Sequence, residues 1–290
     1  FTATCSRGME PILAQELRRI GLNRVTEERS AVRFMGTIRD GYRACLWSRS
    51  ASRVLLRLAR FECNDADDLY DGVMEVDWTR HLTPNTTFAI DFVGGSQTIR
   101  HSQFGARKVK DAIADQLRDK WGRRPDVDTK RPDIPINLHL SHAVASLSLD
   151  LCGAALHQRG RGRDTGGAPL RETLAASMLL IADWPKAARK GRPLLDPMCG
   201  SATLLIEAAG MALDEHLEGD AHLLLDIARV VHMARDRENL GAGVVLTPKA
   251  GEPGGAAPQN GRRYGDGLDI GHGRRTPEDA DVGGKRRLEA

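Results

Sequence analysis

Residues 194–209 read LLDPMCGSATLLIEAA. Two leucines lead into an Asp-Pro pair, a Gly-Ser turn follows, and an apolar run at helical spacing closes the stretch. The reading is strand, tight loop, helix. Gly200 lets the backbone approach a ligand closely, and a helix starting near Thr203 offers free N–H groups to an anionic group. A phosphate-binding P-loop is excluded, because no lysine follows at the G-x-x-x-x-G-K spacing. On these residues alone an ordinary strand-to-helix turn stays open. So does a nucleophilic role for Cys199, whose place ahead of a helix favours the thiolate.

Working outward, Leu170, Leu174, Met178 and Ile181 predict a preceding helix that opens at Pro169. Before it, residues 157–168 (HQRGRGRDTGGA) have no apolar period and read as a linker. After about Leu240 the chain is dense in Gly, Pro and charge. It offers too little apolar surface to offset its ordering entropy, so residues 241–290 are expected to be a disordered tail.

The front of the chain alternates helix and strand signals. Met9, Ile12, Leu13, Leu17 and Ile20 mark a helix with Pro11 in its first turn and Gly21 as its stop. Val32 and Phe34 mark a strand, Ile38, Tyr42, Cys45 and Leu46 a second helix, and Val54, Leu56 and Leu58 another strand. This predicts a compact ferredoxin-like unit over 1–60. In the next unit, 61–153, Phe88, Ile90 and Phe92 alternate up to Gly94-Gly95. Val109, Ala112, Ile113 and Leu117 then share one face of a long helix. Ile136, Leu138 and Leu140 face Ala145, Leu147, Leu149 and Leu151 across a hairpin at Ser141-His142.

Composition bounds the function. The chain has 290 residues with 42 basic and 39 acidic side chains, a net charge of only +3, so a nucleic-acid role needs a local basic face. Arg107, Lys108, Lys110, Arg118, Arg123 and Arg124 could supply one, extended by Arg159, Arg161 and Arg163. A merely solvated face stays open on charge alone, since Asp111, Asp115 and Asp119 lie among these bases. No apolar run approaches the ~20 residues that span a bilayer, and the first residues do not form a secretory signal. Phe1 in place of Met suggests that the chain begins inside a longer reading frame. The five cysteines, odd in number and never in C-x-x-C spacing, read as reduced cytosolic thiols without a structural zinc. The nine histidines form no H-x-x-x-H pair, and no metal is expected. Trp47, Trp78, Trp121 and Trp184 read as packing anchors.

The 194–209 stretch resembles the first cofactor-binding motif of the THUMP-domain RNA methyltransferases that act on guanine N2 of 23S ribosomal RNA, whose usual form is D-P-x-C-G-S-G-T. APLRETLAASMLL (168–180) is similar to the helix before that motif. HSQFGARKVKDAI (101–113) is similar to the family's THUMP helix, LYDGVMEVDW (69–78) to the entry into that domain, and FTATCSRGMEPILAQEL (1–17) to the family's opening. The matches run in one order from Phe1 to about Ala212.

The resemblance implies an α/β fold: a ferredoxin-like unit (1–60), a THUMP RNA-binding domain (61–153), a linker (154–168), the first part of a Rossmann-like methyltransferase domain (169–240) and the tail (241–290). It implies S-adenosyl-L-methionine held by Asp196, Pro197, Cys199, Gly200, Ser201 and Thr203. It also implies ribosomal RNA held by Ser102, Gln103, Arg107, Lys108 and Lys110, in the cytoplasm. Two departures stand out. Position 202 is Ala where the family has Gly, and a side chain there conflicts with a positive φ. The family's acidic ribose partner is not identifiable, and the Asn-Pro-Pro-aromatic motif that positions the target amine does not occur. The expectation is therefore an rRNA methyltransferase family member that is catalytically incomplete as this chain. The alternatives are a non-enzymatic RNA-binding protein and a cysteine hydrolase using Cys199.

Overall fold

The computed structural model describes residues 1–158, 170–197 and 199–213, together with the backbone of two strands at 244–248 and 268–272. The chain divides into two compact units, Phe1–Gln158 and Arg159–Ala290. In chain order, the first unit contains β1 (Thr2–Thr4), α1 (Glu10–Arg19), β2 (Asn23–Glu28), β3 (Ala31–Met35), α2 (Ile38–Trp47) and β4 (Arg53–Glu62). It continues with α3 (Ala66–Met74), a 3-10 turn (Trp78–Arg80), β5 (Phe88–Gly94), α4 (Ser102–Trp121), β6 (Ile134–Ser141) and β7 (Val144–Asp150).

All seven strands join one sheet in the order β2-β3-β1-β4-β7-β6-β5. The first four, with α1 and α2 between them, are a βαββαβ unit of ferredoxin-like order. Strand β4 is ten residues long and serves two neighbours. Arg53–Leu55 pair with β1, while Leu55–Glu62 pair with β7. One strand therefore runs across the 60/61 boundary expected between the first two units. β5 and β6 pair in parallel, the geometry that a helical crossover such as α4 permits. β6 and β7 form a two-residue hairpin whose tip residues, His142 and Ala143, have φ of 49° and 58°. Positive φ at both positions is the turn that matches strand twist, here built without glycine.

Two cores flank this sheet. Leu13, Leu17, Val32, Phe34 and Val54 are buried in the first. Trp78, Phe88, Val109, Ile113, Leu117, Leu138 and Leu147 are buried in the second. A buried carboxylate ties α1 to the loop before β4. Glu16 accepts from the Ser48 hydroxyl at 2.7 Å, the Arg49 N–H at 2.7 Å, the Ser50 N–H at 3.1 Å and the Ser50 hydroxyl. Four donors on one carboxylate satisfy a group that could not otherwise leave water.

The second unit contains α5 (Glu172–Ile181), α6 (Trp184–Arg189), β8 (Leu194–Asp196), α7 (Thr203–Ala212), β9 (Val244–Pro248) and β10 (Leu268–His272). Its described core is made of Ala176, Leu179, Trp184, Leu205, Ile206, Ala208 and Ala209, and the Trp184 indole N–H donates to the Ala208 carbonyl at 2.8 Å. Three expectations change. The stripe that identified α5 does not face this core: Leu170, Met178 and Ile181 are exposed, while Thr173, Ala175, Ala176 and Ser177 are buried. α2 behaves alike, burying Gly41 and Ala44 and exposing Ile38, Tyr42 and Leu46. In both cases small residues let the helix backbone come close to its support, and the large apolar side chains flank the contact. Trp47, read as a packing anchor, is 41% exposed.

The 241–290 stretch is not uniformly without structure. Val244–Pro248 pairs antiparallel with both β8 and Leu268–His272. The β-branched run Val244, Val245, Thr247 suits a strand despite its Gly- and Pro-rich surroundings. The linker residues 159–169, Met198, and His216, His222 and His232 lie outside the described residues.

Replacing Glu16 with Ala should lower the unfolding free energy measured in urea by about 3 kcal/mol or more, because several buried donors lose their acceptor together. A loss below about 1 kcal/mol would show that water substitutes for the carboxylate at this site.

Candidate functional site

Two places can act on a ligand. The first is the start of α4. Gly105 lies flush against Phe92, where an added Cβ would come within 2.4 Å of the ring, so the first turn of α4 is seated directly on β5. Val109, Ala112, Ile113 and Leu117 carry that packing along the helix, on the face its periodicity indicated. The opposite side of the first turn is left to solvent. His101 precedes the helix with an extended backbone and makes no side-chain cap, and the first turn contains no acidic residue. The opening N–H groups of a helix lack intrahelical partners and carry partial positive charge.

An open pocket of about 470 Å³ lies at this end, lined by Arg100, His101, Ser102, Gln103, Phe104 and Arg107. Arg100 is oriented by its Nε donating to the Gln97 carbonyl at 2.9 Å. Phe104 is 49% exposed in the pocket wall. Two guanidinium groups, a helix start and an open aromatic face suit a phosphate with an adjoining base.

The five residues expected to hold RNA are divided by the structure. Ser102, Gln103 and Arg107 line the pocket. Lys108 lies elsewhere, 3.0 Å from an Asp67 carboxylate oxygen and 5.3 Å above the Tyr70 ring. Lys110 pairs with Asp111 at 3.1 Å. The wider basic stripe is likewise engaged: Arg118 pairs with Asp115, and Arg123 donates to the Pro84 carbonyl and to Asn85. Lys108, Lys110 and Arg118 are thus matched by carboxylates, while Arg100 and Arg107 face the pocket at the N-terminal end of α4. Sequence reasoning missed Arg100, His101 and Phe104. The one available signal was an aromatic at position 104, three residues before Arg107.

The second place is the loop between β8 and α7, which brings the expected cofactor residues into one turn. Asp196 ends the strand half-buried, Pro197 and Gly200 are exposed, Cys199 and Ser201 are half-buried, and Thr203 is buried at the first position of α7. Gly200 has φ +51°, and the Ala202 N–H closes the turn on the Cys199 carbonyl at 2.6 Å. The Ser201 and Thr203 hydroxyls are 3.1 Å apart. Ala202 is fully buried with φ 60° and ψ 26°. That left-handed conformation costs an L-residue roughly 1–2 kcal/mol. The backbone thus keeps a glycine conformation at a position that carries a methyl group. Glu207, a fully buried carboxyl-bearing residue one turn into α7, was not singled out from the sequence.

A hydrolytic role for Cys199 gains no support, since residues 170–213 contain no histidine to act as its base. Among the described residues no cluster of His, Cys, Asp or Glu could hold a metal ion, and no helix is long and apolar enough to cross a membrane.

Comparison with known proteins agrees with this layout. A model described as RlmL ferredoxin-like domain matches residues 1–55, the THUMP domain model matches 63–150, and a model described as RMKL-like, methyltransferase domain matches 159–231. The ribosomal RNA large subunit methyltransferase K/L of Methylococcus capsulatus is 51% identical over 214 residues, covering 74% of this chain and 29% of the relative. That of Pseudomonas aeruginosa is 50% identical over 211 residues, covering 73% and 29%. The chain therefore spans under a third of the length of these relatives. Among solved structures, a predicted N6-adenine-specific DNA methylase from Listeria monocytogenes aligns with TM-score 0.64 and 27% identity, over 83% of this chain and 63% of that one. SMU.472, a putative methyltransferase complexed with SAH, aligns with TM-score 0.64 and 25% identity, over 82% and 65%. With three domain models in one order along a ferredoxin-like unit, a THUMP unit and a strand–loop–helix motif, this chain is similar, over 214 residues, to the ribosomal RNA large subunit methyltransferases K/L.

Proposed function

We propose that this chain binds structured ribosomal RNA at the N-terminal end of α4. We further propose that it carries the S-adenosylmethionine loop of an enzyme methylating guanine N2 of 23S ribosomal RNA, without completing methyl transfer as this chain. The observation that carries the RNA reading is the pocket in which Arg100, Arg107 and Phe104 surround the open start of α4. Few aromatics accompany it, so recognition rests on phosphate geometry and one stacking position more than on base-by-base readout. Ribosomal RNA as the partner places the chain in the cytoplasm.

For the cofactor, Asp196, Pro197, Cys199, Gly200, Ser201 and Thr203 fit one end of the molecule. Gly200 opens the turn, and the start of α7 presents N–H groups suited to the carboxylate of the methionine moiety. S-adenosylmethionine, when bound, supplies an electrophilic methyl group on sulfur. Among the described residues no acidic side chain is identifiable as a ribose partner, and the sequence contains no Asn-Pro-Pro run. Guanine N2 is a weak nucleophile because its lone pair is delocalised into the ring. An acceptor that orients the amine is therefore the main catalytic requirement, and it acts by proximity. A second reading, an RNA-binding protein without catalysis, is favoured by one observation. Among the described strands β8 pairs only with antiparallel β9, whereas a doubly wound cofactor site lies across the ends of parallel strands.

RNA binding should weaken linearly in a log–log plot against salt through counterion release. In the full chain, Arg100→Glu and Arg107→Glu should each flatten that slope by about one unit. Lys108→Glu with Lys110→Glu should have the smaller effect, since both lysines already face carboxylates. A slope moved by the lysines and indifferent to the arginines would displace the site from the pocket.

Calorimetric titration with S-adenosylmethionine should show weak or no binding, and labelled methyl groups should not reach ribosomal RNA. Ala202→Gly should raise stability by about 1 kcal/mol by relieving the left-handed conformation, yet leave methyl transfer absent. Tight saturable binding together with turnover by this chain would overturn the incomplete-site reading.

A further inference from the structure

We propose that Cys45 and Cys152 form a dithiol modification site, which peroxide oxidises to a disulfide joining α2 to the chain segment that leaves β7. The two residues are 107 positions apart in sequence, yet their sulfurs are 3.6 Å from each other. Both are free thiols and both are half-buried, so a small oxidant can reach them.

The approach is built by the packing of α2. At Gly41 an added Cβ would come within 2.6 Å of the Phe1 ring and 2.8 Å of the Leu151 side chain. The absence of a side chain there seats α2 on Leu151. Cys45 lies one turn later on the same helix face, and Cys152 directly follows Leu151, so one close contact sets up the next. Cys152 is fixed from its own side as well. The Val54 N–H donates to its sulfur at 3.1 Å, and its own N–H donates to an Asp150 carboxylate oxygen at 2.9 Å. The segment after β7 stays beside β4, with the Leu151 N–H on the Val54 carbonyl and the Leu156 N–H on the Ser52 carbonyl. Closing from contact to a bond of about 2.05 Å requires side-chain rotation and a small helix adjustment.

The two sulfurs are not equivalent. The contact with Cys152 lowers the pKa of Cys45, while the same contact and burial raise that of Cys152. The Cys45 thiolate therefore attacks first. Its electron pair forms an S–O bond, the peroxide O–O bond breaks, and the hydroxide released takes up a proton as water. Cys152 then gives up its proton and attacks the Cys45 sulfenic acid, forming the S–S bond and expelling a second water. Two thiols and one peroxide become one disulfide and two waters, with the sulfurs losing the two electrons that the peroxide oxygens gain. Cys5 and Cys63 are poor competitors, because burial pushes both thiols up to about 11.

The test treats the native chain with hydrogen peroxide, blocks remaining thiols and maps the peptides without reductant. The expected result is a Cys45–Cys152 cross-link, the loss of those two thiols, an upward shift of the thermal midpoint and full reversal by dithiothreitol. In Cys152→Ser, Cys45 should accumulate as sulfenic acid trapped by a dione probe. In Cys45→Ser, Cys152 should react far more slowly. Retention of both thiols in peroxide would overturn the proposal, as would pairing scattered over all cysteines or a cross-link that forms only in urea. Equal trapping in the two variants would overturn Cys45 as the attacked sulfur.

Discussion

Strand β4 is the element on which the first unit depends. Its ten residues are hydrogen-bonded to β1 at one end and to β7 along most of their length, with Leu55 paired on both sides. Neither neighbouring sheet is large. The β1–β3 side ends at the short edge strand β2, and the β7 side ends at β5. A common strand merges them into one seven-stranded sheet, which removes two edges that would otherwise need protection. It also fixes geometry across the whole unit. The register of β7 against β4 sets that of β6 through the hairpin at His142–Ala143, and β6 sets β5. β5 in turn presents Phe92, on which Gly105 seats the start of α4. The pocket is thus held by a chain of backbone pairings that begins in the ferredoxin-like half.

The electrostatics of α4 follow from the same seating. One face of the helix is committed to the core, so its charged residues share the remaining surface with the carboxylates of α3 and of α4 itself. Asp67 faces Lys108, Asp111 faces Lys110, and Asp115 holds both Arg118 and the Tyr70 hydroxyl. Exposed pairs of this kind contribute little to stability. Their consequence is to match Lys108, Lys110 and Arg118 locally, while Arg100 and Arg107 face the pocket. A chain with a net charge of +3 can then present a local anion site without being basic throughout.

Much of this was legible in the sequence. Strict alternation placed β5, β6 and β7, the 3.6-residue period placed α1 and α4, and the Asp-Pro…Gly-Ser turn placed the β8–α7 loop. What periodicity could not supply was direction. In α2 and α5 the large apolar residues mark a helix, but the side that packs is the one with Gly41 and Ala44, or Thr173, Ala175, Ala176 and Ser177. Close backbone approach contributes as much to such a contact as side-chain bulk, and an apolar count does not record it. The pairing of lysines with aspartates was equally hidden, because Asp67 lies forty-one positions from Lys108. Strand β9 escaped notice because its apolar run is short and sits among Gly, Pro and charged residues that dominate any window drawn around it.

Position 202 shows how the two kinds of information combine. The sequence showed a methyl group where the related motif has glycine, and on that ground predicted a conflict. The structure shows how the conflict is met: the backbone keeps φ 60° and the side chain is buried in the α7 core. The neighbouring constraints explain why the backbone does not relax. The Ala202 N–H is held by the Cys199 carbonyl, and the Ala202 carbonyl accepts from the Ile206 N–H in the first turn of α7. Escaping the left-handed region would break the turn on one side or the helix start on the other, each worth about as much as the roughly 1–2 kcal/mol of strain. The β8–α7 loop therefore keeps its shape at a cost to local stability.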